Sequence, residues 1–316
     1  MKNNKVFFFI AGLLLSVLTL ESIARAVSPV LGPPLISWNT MEDAKRLKFE
    51  EHLGKYQNLE YIVMGNSTSL IGFNPTIFDA SANLPIGSSF NAAMNGSDIK
   101  TIRDFALGYI LENVAPRNLV LLFSNTTMIL GPNHEDYKRD TVNLLSISYL
   151  YKYRNTFRDP MTINTILRTL KFRDTRQGIV YRWADNIDEF GYSKHETTDA
   201  TFPDAGWDPK NEKKEDTKSY FVDDSQIKYL IEIRDSAEKS GVNLIIGTVP
   251  LLAQDLAYRG IIRQIADELG IGFIQGNDAV GQGKYFQDSI HLNREGAEIF
   301  SEYLGANIPL VASSFK

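Results

Sequence analysis

Cysteine is absent from this chain of 316 residues, which excludes a disulfide framework, a thiolate metal site and a cysteine nucleophile. Positive charge is not in excess: the formal net charge is −5, and no long basic run appears. Nucleic acid is thereby excluded as an expected partner, because no electrostatic footprint for it exists. Internal repeats and low-complexity tracts are also missing. Histidine occurs four times; His52, His134 and His195 have no ligand-like spacing, and His134-Glu135-Asp136 reads as a solvated loop. Apolar residues, by contrast, make up 43% of the chain, enough for one large core in a globular domain that carries an insertion.

The N-terminus speaks for the compartment. Lys2 and Lys5 precede an uncharged run from Val6 to Leu20 that ends at Glu21. As a helix this run spans about 22 Å, short of the roughly 30 Å hydrocarbon core of a bilayer but suited to a signal peptide. Ala24-Arg25-Ala26 offers a small-x-small cleavage site, while an uncleaved anchor would recruit Ile23 and Ala24. Either way the leading lysines place everything after residue 26 outside the cytoplasm, in the periplasm or at the cell surface. Residues 27 to 57 follow as a proline-containing linker and a leading helix, Met41 to Tyr56.

Beyond that point apolar runs alternate with amphipathic stretches. Tyr61 to Met64, Ser88 to Ala92, Asn118 to Phe123, Val242 to Gly247 and Ile271 to Ile274 read as strands. Asp98 to Val114, Asp224 to Ser240, Leu256 to Leu269 and Asn293 to Leu304 read as helices, with a short one at Pro75 to Ala82. Continuous rather than alternating apolar strands joined by helices argue for an α/β fold, three layers with a central parallel sheet. Residues 58 to 130 and 223 to 316 would build it. Residues 131 to 222 interrupt it as an insertion, helical from Tyr137 to Lys171 and polar afterwards. Its aromatics, Trp183 and Trp207 above all, suit stacking on sugar rings if the insertion covers the site; a surface loop with a few aromatic anchors is the other reading.

Four polar patches fall at predicted strand ends or helix starts. They are Gly65-Asn66-Ser67, Asn95-Gly96-Ser97, Ser124-Asn125-Thr126 and Asp288-Ser289-Ile290-His291. Three of them also match the glycosylation sequon, which predicts scattered exposed loops. Their common position at carboxyl ends of buried strands is better explained by one site, since parallel sheets bind ligands at that edge. Together they supply the parts for acyl transfer through a serine ester. Ser67 is the nucleophile, His291 the base and Asp288 the carboxylate that fixes its tautomer. The amides of Ser67 and Gly96 and the side chain of Asn125 are oxyanion donors. No metal or organic cofactor is needed for this chemistry.

Ile62 to Ser67 resembles the first sequence block of the SGNH, or GDSL, hydrolases, with Ser67 in the nucleophile's place. Asn91 to Gly96 resembles the second block, Leu121 to Asn125 the third, and Asp288 to Leu292 the fifth. The departures are Asn66 and Thr126 where that family usually has Asp, and Ala93 and Phe123 where it has Gly. The resemblance implies a flavodoxin-like three-layer fold and serine acyl chemistry. With its N-terminal hydrophobic helix and mid-chain insertion, the chain looks like the branch that decorates bacterial cell-surface polymers, which includes alginate O-acetylation proteins and the D-alanyl transfer protein of teichoic acids. That branch implies an acyl donor, a carbohydrate acceptor and a membrane acyl-export or polysaccharide-synthesis protein as partners. A non-catalytic glycan-binding or scaffold member is the alternative, though it would have no reason to keep Ser67, Asp288 and His291 together.

Overall fold

The computed structural model describes residues 11–16, 18–19, 40–56, 58–124, 127, 183–193, 199, 201, 222, 224–252, 256–276, 279–281 and 283–314. The chain divides into two compact units, residues 1–47 with 136–183, and residues 48–135 with 184–316. In the first, residues 11–16 and 18–19 are helical, with Leu13, Leu14, Leu15 and Leu18 exposed. Among the described residues no helix is long and apolar enough to cross a membrane. Most of the expected signal or anchor, the linker, and the insertion's helical stretch from Tyr137 to Lys171 lie outside the described residues.

Helix α1 comprises Thr40–Lys55. The second unit is built on five parallel strands, β1 (Tyr61–Gly65), β2 (Ser89–Asn91), β3 (Asn118–Phe123), β4 (Asn243–Thr248) and β5 (Gly272–Ile274), in the order β2-β1-β3-β4-β5. β1 and β3 are buried along their whole length, as their unbroken apolar sequences require. Residues 61 and 63 of β1 face a core with Val120, Leu122, Ile245 and Ile274, closed by Phe73, Phe78, Phe300 and Leu304. Helices α3 (Pro75–Ser81) and α8 (Arg294–Ser313) pack on each other over that core. Helix α4 (Ile99–Phe105) packs instead against α6 (Asp224–Lys239), which also lies on β4. Helix α7 (Leu256–Leu269) lies against β4 and β5. The result is a central parallel sheet with flanking helices, and its order changes direction between β1 and β3, where such sheets hold their ligands.

The sequence also forms elements that its periodicity did not reveal. A short helix, α2 (Ser67–Gly72), starts at Ser67 itself, because Asn66 caps it and accepts a hydrogen bond from the amide of Thr68. The stretch expected as one helix from Asp98 to Val114 is α4, then a π-helical turn (Ala106–Ile110), then α5 (Leu111–Asn113). Helix α8 does not stop at Leu304 but continues through Pro309 to Ser313. Proline forfeits one helical hydrogen bond there, and burial of Ile308 and Ala312 in the core holds the extra turns in place.

One buried carboxylate shapes the approach to β2. Asp79, near the end of α3, accepts hydrogen bonds from the amides of Gly87 (2.9 Å) and Ser88 (3.1 Å) and so folds the intervening turn back. Burial pushes its carboxyl up to about 6, against the pull of the hydrogen bonds from Gly87, Ser88 and Ser89. An unfolded aspartate titrates near 4. Between those values the folded chain keeps a proton that the unfolded chain has released, so this group's contribution is fully present at and below about pH 4 and is lost as pH rises through 6. Asp79→Asn keeps the acceptor and removes the titration. Relative to wild type, the variant should gain stability on the order of 3 kcal/mol between pH 4 and pH 7. Urea denaturation at several pH values measures this; parallel pH dependences in the two proteins would refute it.

Candidate active site

The position of Ser67, the candidate nucleophile, is set by a close approach. A Cβ on Gly65 would stand 2.3 Å from Ser69 Oγ and 2.7 Å from the carbonyl oxygen of Leu122, so only glycine lets α2 fold back so tightly on β1 and β3. Ser67 then sits at the first helical position, half-buried at the carboxyl end of β1. The amide of Thr68 goes to Asn66 Oδ1, and those of Ser69 and Leu70 go to the Asn66 carbonyl. Ser67's own amide has no partner among the described residues, as expected at a helix start.

His291, the candidate base, arrives from the other end of the sequence. Before α8 the chain doubles back, with Phe286 bridged to Leu292 and the Gln287 amide bonded to the His291 carbonyl. Asn293 caps α8 by accepting from the amide of Gly296 and donates to the carbonyl of Lys284. Within this loop Asp288 Oδ1 accepts from the amides of Ile290 (2.9 Å) and His291 (2.7 Å), leaving Oδ2 to meet His291 Nδ1 at 2.8 Å. His291 Nε2 lies 2.9 Å from Ser67 Oγ across 224 residues of sequence. Burial is the largest influence on Asp288 and works against its charge. The hydrogen bonds from the His291 ring and the two amides together outweigh it and hold the carboxyl below the ordinary aspartate range. An ionised carboxylate on Nδ1 keeps the proton there and leaves Nε2 free to accept from serine.

The proposed oxyanion donors are placed unequally. Beyond β2 the chain keeps pace with β1, the amide of Ala92 bonding to Val63 and that of Met94 to Gly65. This brings the exposed turn at Asn95 and Gly96 beside the start of α2. Gly96 has φ +66, a conformation glycine adopts without strain, and its chain neighbours aside no atom of the described residues lies within 4 Å of where a Cβ would be. Asn125 and Trp207 lie outside the described residues. Trp183 opens a short helical turn over residues 183–186 and is half-buried, but it belongs to the first unit whereas the triad belongs to the second.

Comparison with known proteins finds no matching family model and no matching curated protein. Solved structures do resemble the chain. A GDSL-like lipase from Bacteroides thetaiotaomicron is 12% identical with a TM-score of 0.41, over 87% of this chain and 100% of its own. TesA is 10% identical with a TM-score of 0.41, over 80% of this chain and 99% of its own. The acetyl xylan esterase AlAXEase is 11% identical with a TM-score of 0.39, over 79% of this chain and 100% of its own. Likeness at this level carries no weight for chemistry, so the site must be judged by its own distances.

Several neighbours of the triad had no sequence signal of their own. Asn91 donates to the carbonyls of Ser69 (3.1 Å), Leu70 (3.2 Å) and Phe73 (2.8 Å), satisfying the end of α2 from the adjacent strand. The Asn91 amide in turn donates to the carbonyl of Phe190, where residues 188–192 turn beside β2. Arg294, three residues past His291, pairs with Asp199 at 2.8 Å with both side chains largely exposed, an arrangement worth little to stability. Asn at a strand end is common in any sequence; only the parallel register of β1 and β2 brings Asn91 to α2.

Proposed function

We propose that the chain is an extracytoplasmic serine enzyme that hydrolyses or transfers an acyl group, most simply acetyl, on a cell-surface or exported polysaccharide. One observation carries this reading: the unbroken contact from Ser67 Oγ through His291 to a carboxylate held in its ionised form. His291 Nε2 takes the serine proton as Oγ bonds to the acyl carbon. The tetrahedral oxyanion meets the amide of Ser67, with Gly96 and Asn125 assigned as the further donors. His291 then returns the proton to the departing alcohol as its bond to the acyl carbon breaks, leaving acyl-Ser67. Water or a sugar hydroxyl, deprotonated by His291, releases the acyl group by the reverse sequence. The location follows from the lysine-led apolar run at residues 2–20, and a membrane acyl-export or polysaccharide-synthesis protein is the partner proposed for it. No organic cofactor enters this chemistry.

The full chain should release acetate from an activated acetyl ester such as p-nitrophenyl acetate, measured with and without an acetyl-free oligosaccharide. Acetyl appearing on the sugar only when Ser67 is intact identifies a transferase; acetate alone identifies a hydrolase. Absence of both activities from the wild-type protein would refute the serine reading.

A further inference from the structure

We infer that Asn66 is a positioning residue for Ser67, tying the nucleophile's turn to the end of β3 through a side-chain relay. The inference rests on the serine reading above. Asn66 is 5% exposed, and the orientation of its amide is fixed, since the Thr68 amide (3.1 Å) and hydroxyl (2.7 Å) both donate to Oδ1. Nδ2 must therefore face the other way, and it donates to Ser124 Oγ at 2.5 Å. Ser124 is equally buried. Its hydroxyl lies 3.2 Å from Thr127 Oγ1, and its amide donates to that same oxygen at 3.2 Å. The Thr127 amide closes the turn on the Ser124 carbonyl. The residue before the nucleophile thus does two jobs with two ends of one side chain, capping α2 with its oxygen and gripping β3 with its nitrogen.

The Asn66→Ser side chain still caps α2 but is too short to reach Ser124, and Ser124→Ala removes the hydroxyl that Asn66 grips. These two substitutions separate capping from gripping.

Asn66→Ser and Ser124→Ala are compared with wild type in p-nitrophenyl acetate turnover and in the rate at which a fluorophosphonate labels Ser67, followed by intact mass. The labelled serine carries a tetrahedral group in the oxyanion position, so labelling reports on the same alignment. Each variant should lose about ten- to a hundredfold in kcat and in labelling rate, with KM unchanged, as misplacement of a reacting group does. Asn66→Ser should still unfold cooperatively in urea, with a midpoint shifted no more than that of Ser124→Ala, which loses the same buried hydrogen bond. The double variant Asn66→Ser with Ser124→Ala should be no slower than either single one, since both break one contact. Wild-type rates in Asn66→Ser, or a Ser124→Ala protein as fast as wild type, would overturn the relay and leave the serine reading intact. Failure of the wild-type protein to be labelled at Ser67 would overturn both.

Discussion

Ser67→Ala should lower kcat for an activated acetyl ester by about four to six orders of magnitude while leaving the urea midpoint unchanged. The size follows from the site's geometry. Ser67 Oγ is the atom that His291 Nε2 meets at 2.9 Å, and removing it leaves a base with nothing to deprotonate except water. The fold should not notice, because α2 is held by Asn66 at one end and Asn91 at the other, neither through the Ser67 side chain. His291→Ala should cost about as much, and the double variant no more than either single one, because the two residues act as one unit. Additive losses, or a Ser67→Ala protein within tenfold of wild type, would show that turnover does not pass through this serine.

The meeting of Ser67, His291 and Asp288 was legible because a parallel sheet gathers the carboxyl ends of its strands at one edge, so residues far apart in sequence fall together if each follows a buried strand or precedes a helix. Ser67 after β1 satisfied that rule directly, and Asp288 and His291 announced themselves by a spacing that lets the carboxylate fold back on the ring. The Asn66 to Ser124 contact had no such signal. It spans 58 residues and exists only because β1 and β3 run in register, Gly65 beside Leu122. A polar residue in a turn reads as a turn residue until that register is known. The same limit applies to α2, whose six residues are too few for helical periodicity to show. His52 is a further case: nothing in its spacing marks it, yet it is buried with its two ring nitrogens on the carbonyls of Glu189 and Gly87. Burial there pushes its pKa below the usual histidine value, and the two carbonyls pull the other way.

Asp288→Asn should reduce kcat by roughly 10⁴-fold although the variant is nearly the same shape. The Oδ1 position accepts from two backbone amides, of Ile290 and His291. In the variant those amides fix the side-chain oxygen in that place, so the new NH₂ group must face His291 Nδ1. An NH₂ group donates, which forces the ring proton onto Nε2 and leaves that nitrogen unable to take the proton of Ser67. The triad would look intact and carry the wrong tautomer. Titration separates this from a general loss of charge. In the wild type the lowered pKa keeps Asp288 ionised through the ordinary carboxylate range. Its stabilising contribution is therefore present above that range and lost only as pH falls through the folded value. Wild type and variant should accordingly differ by a constant factor in kcat at every pH from neutral upward, and the gap should narrow only in strong acid, where the wild-type carboxylate is protonated too. A pH-rate profile of both proteins decides it, and a gap that closes near neutral pH would refute the tautomer argument.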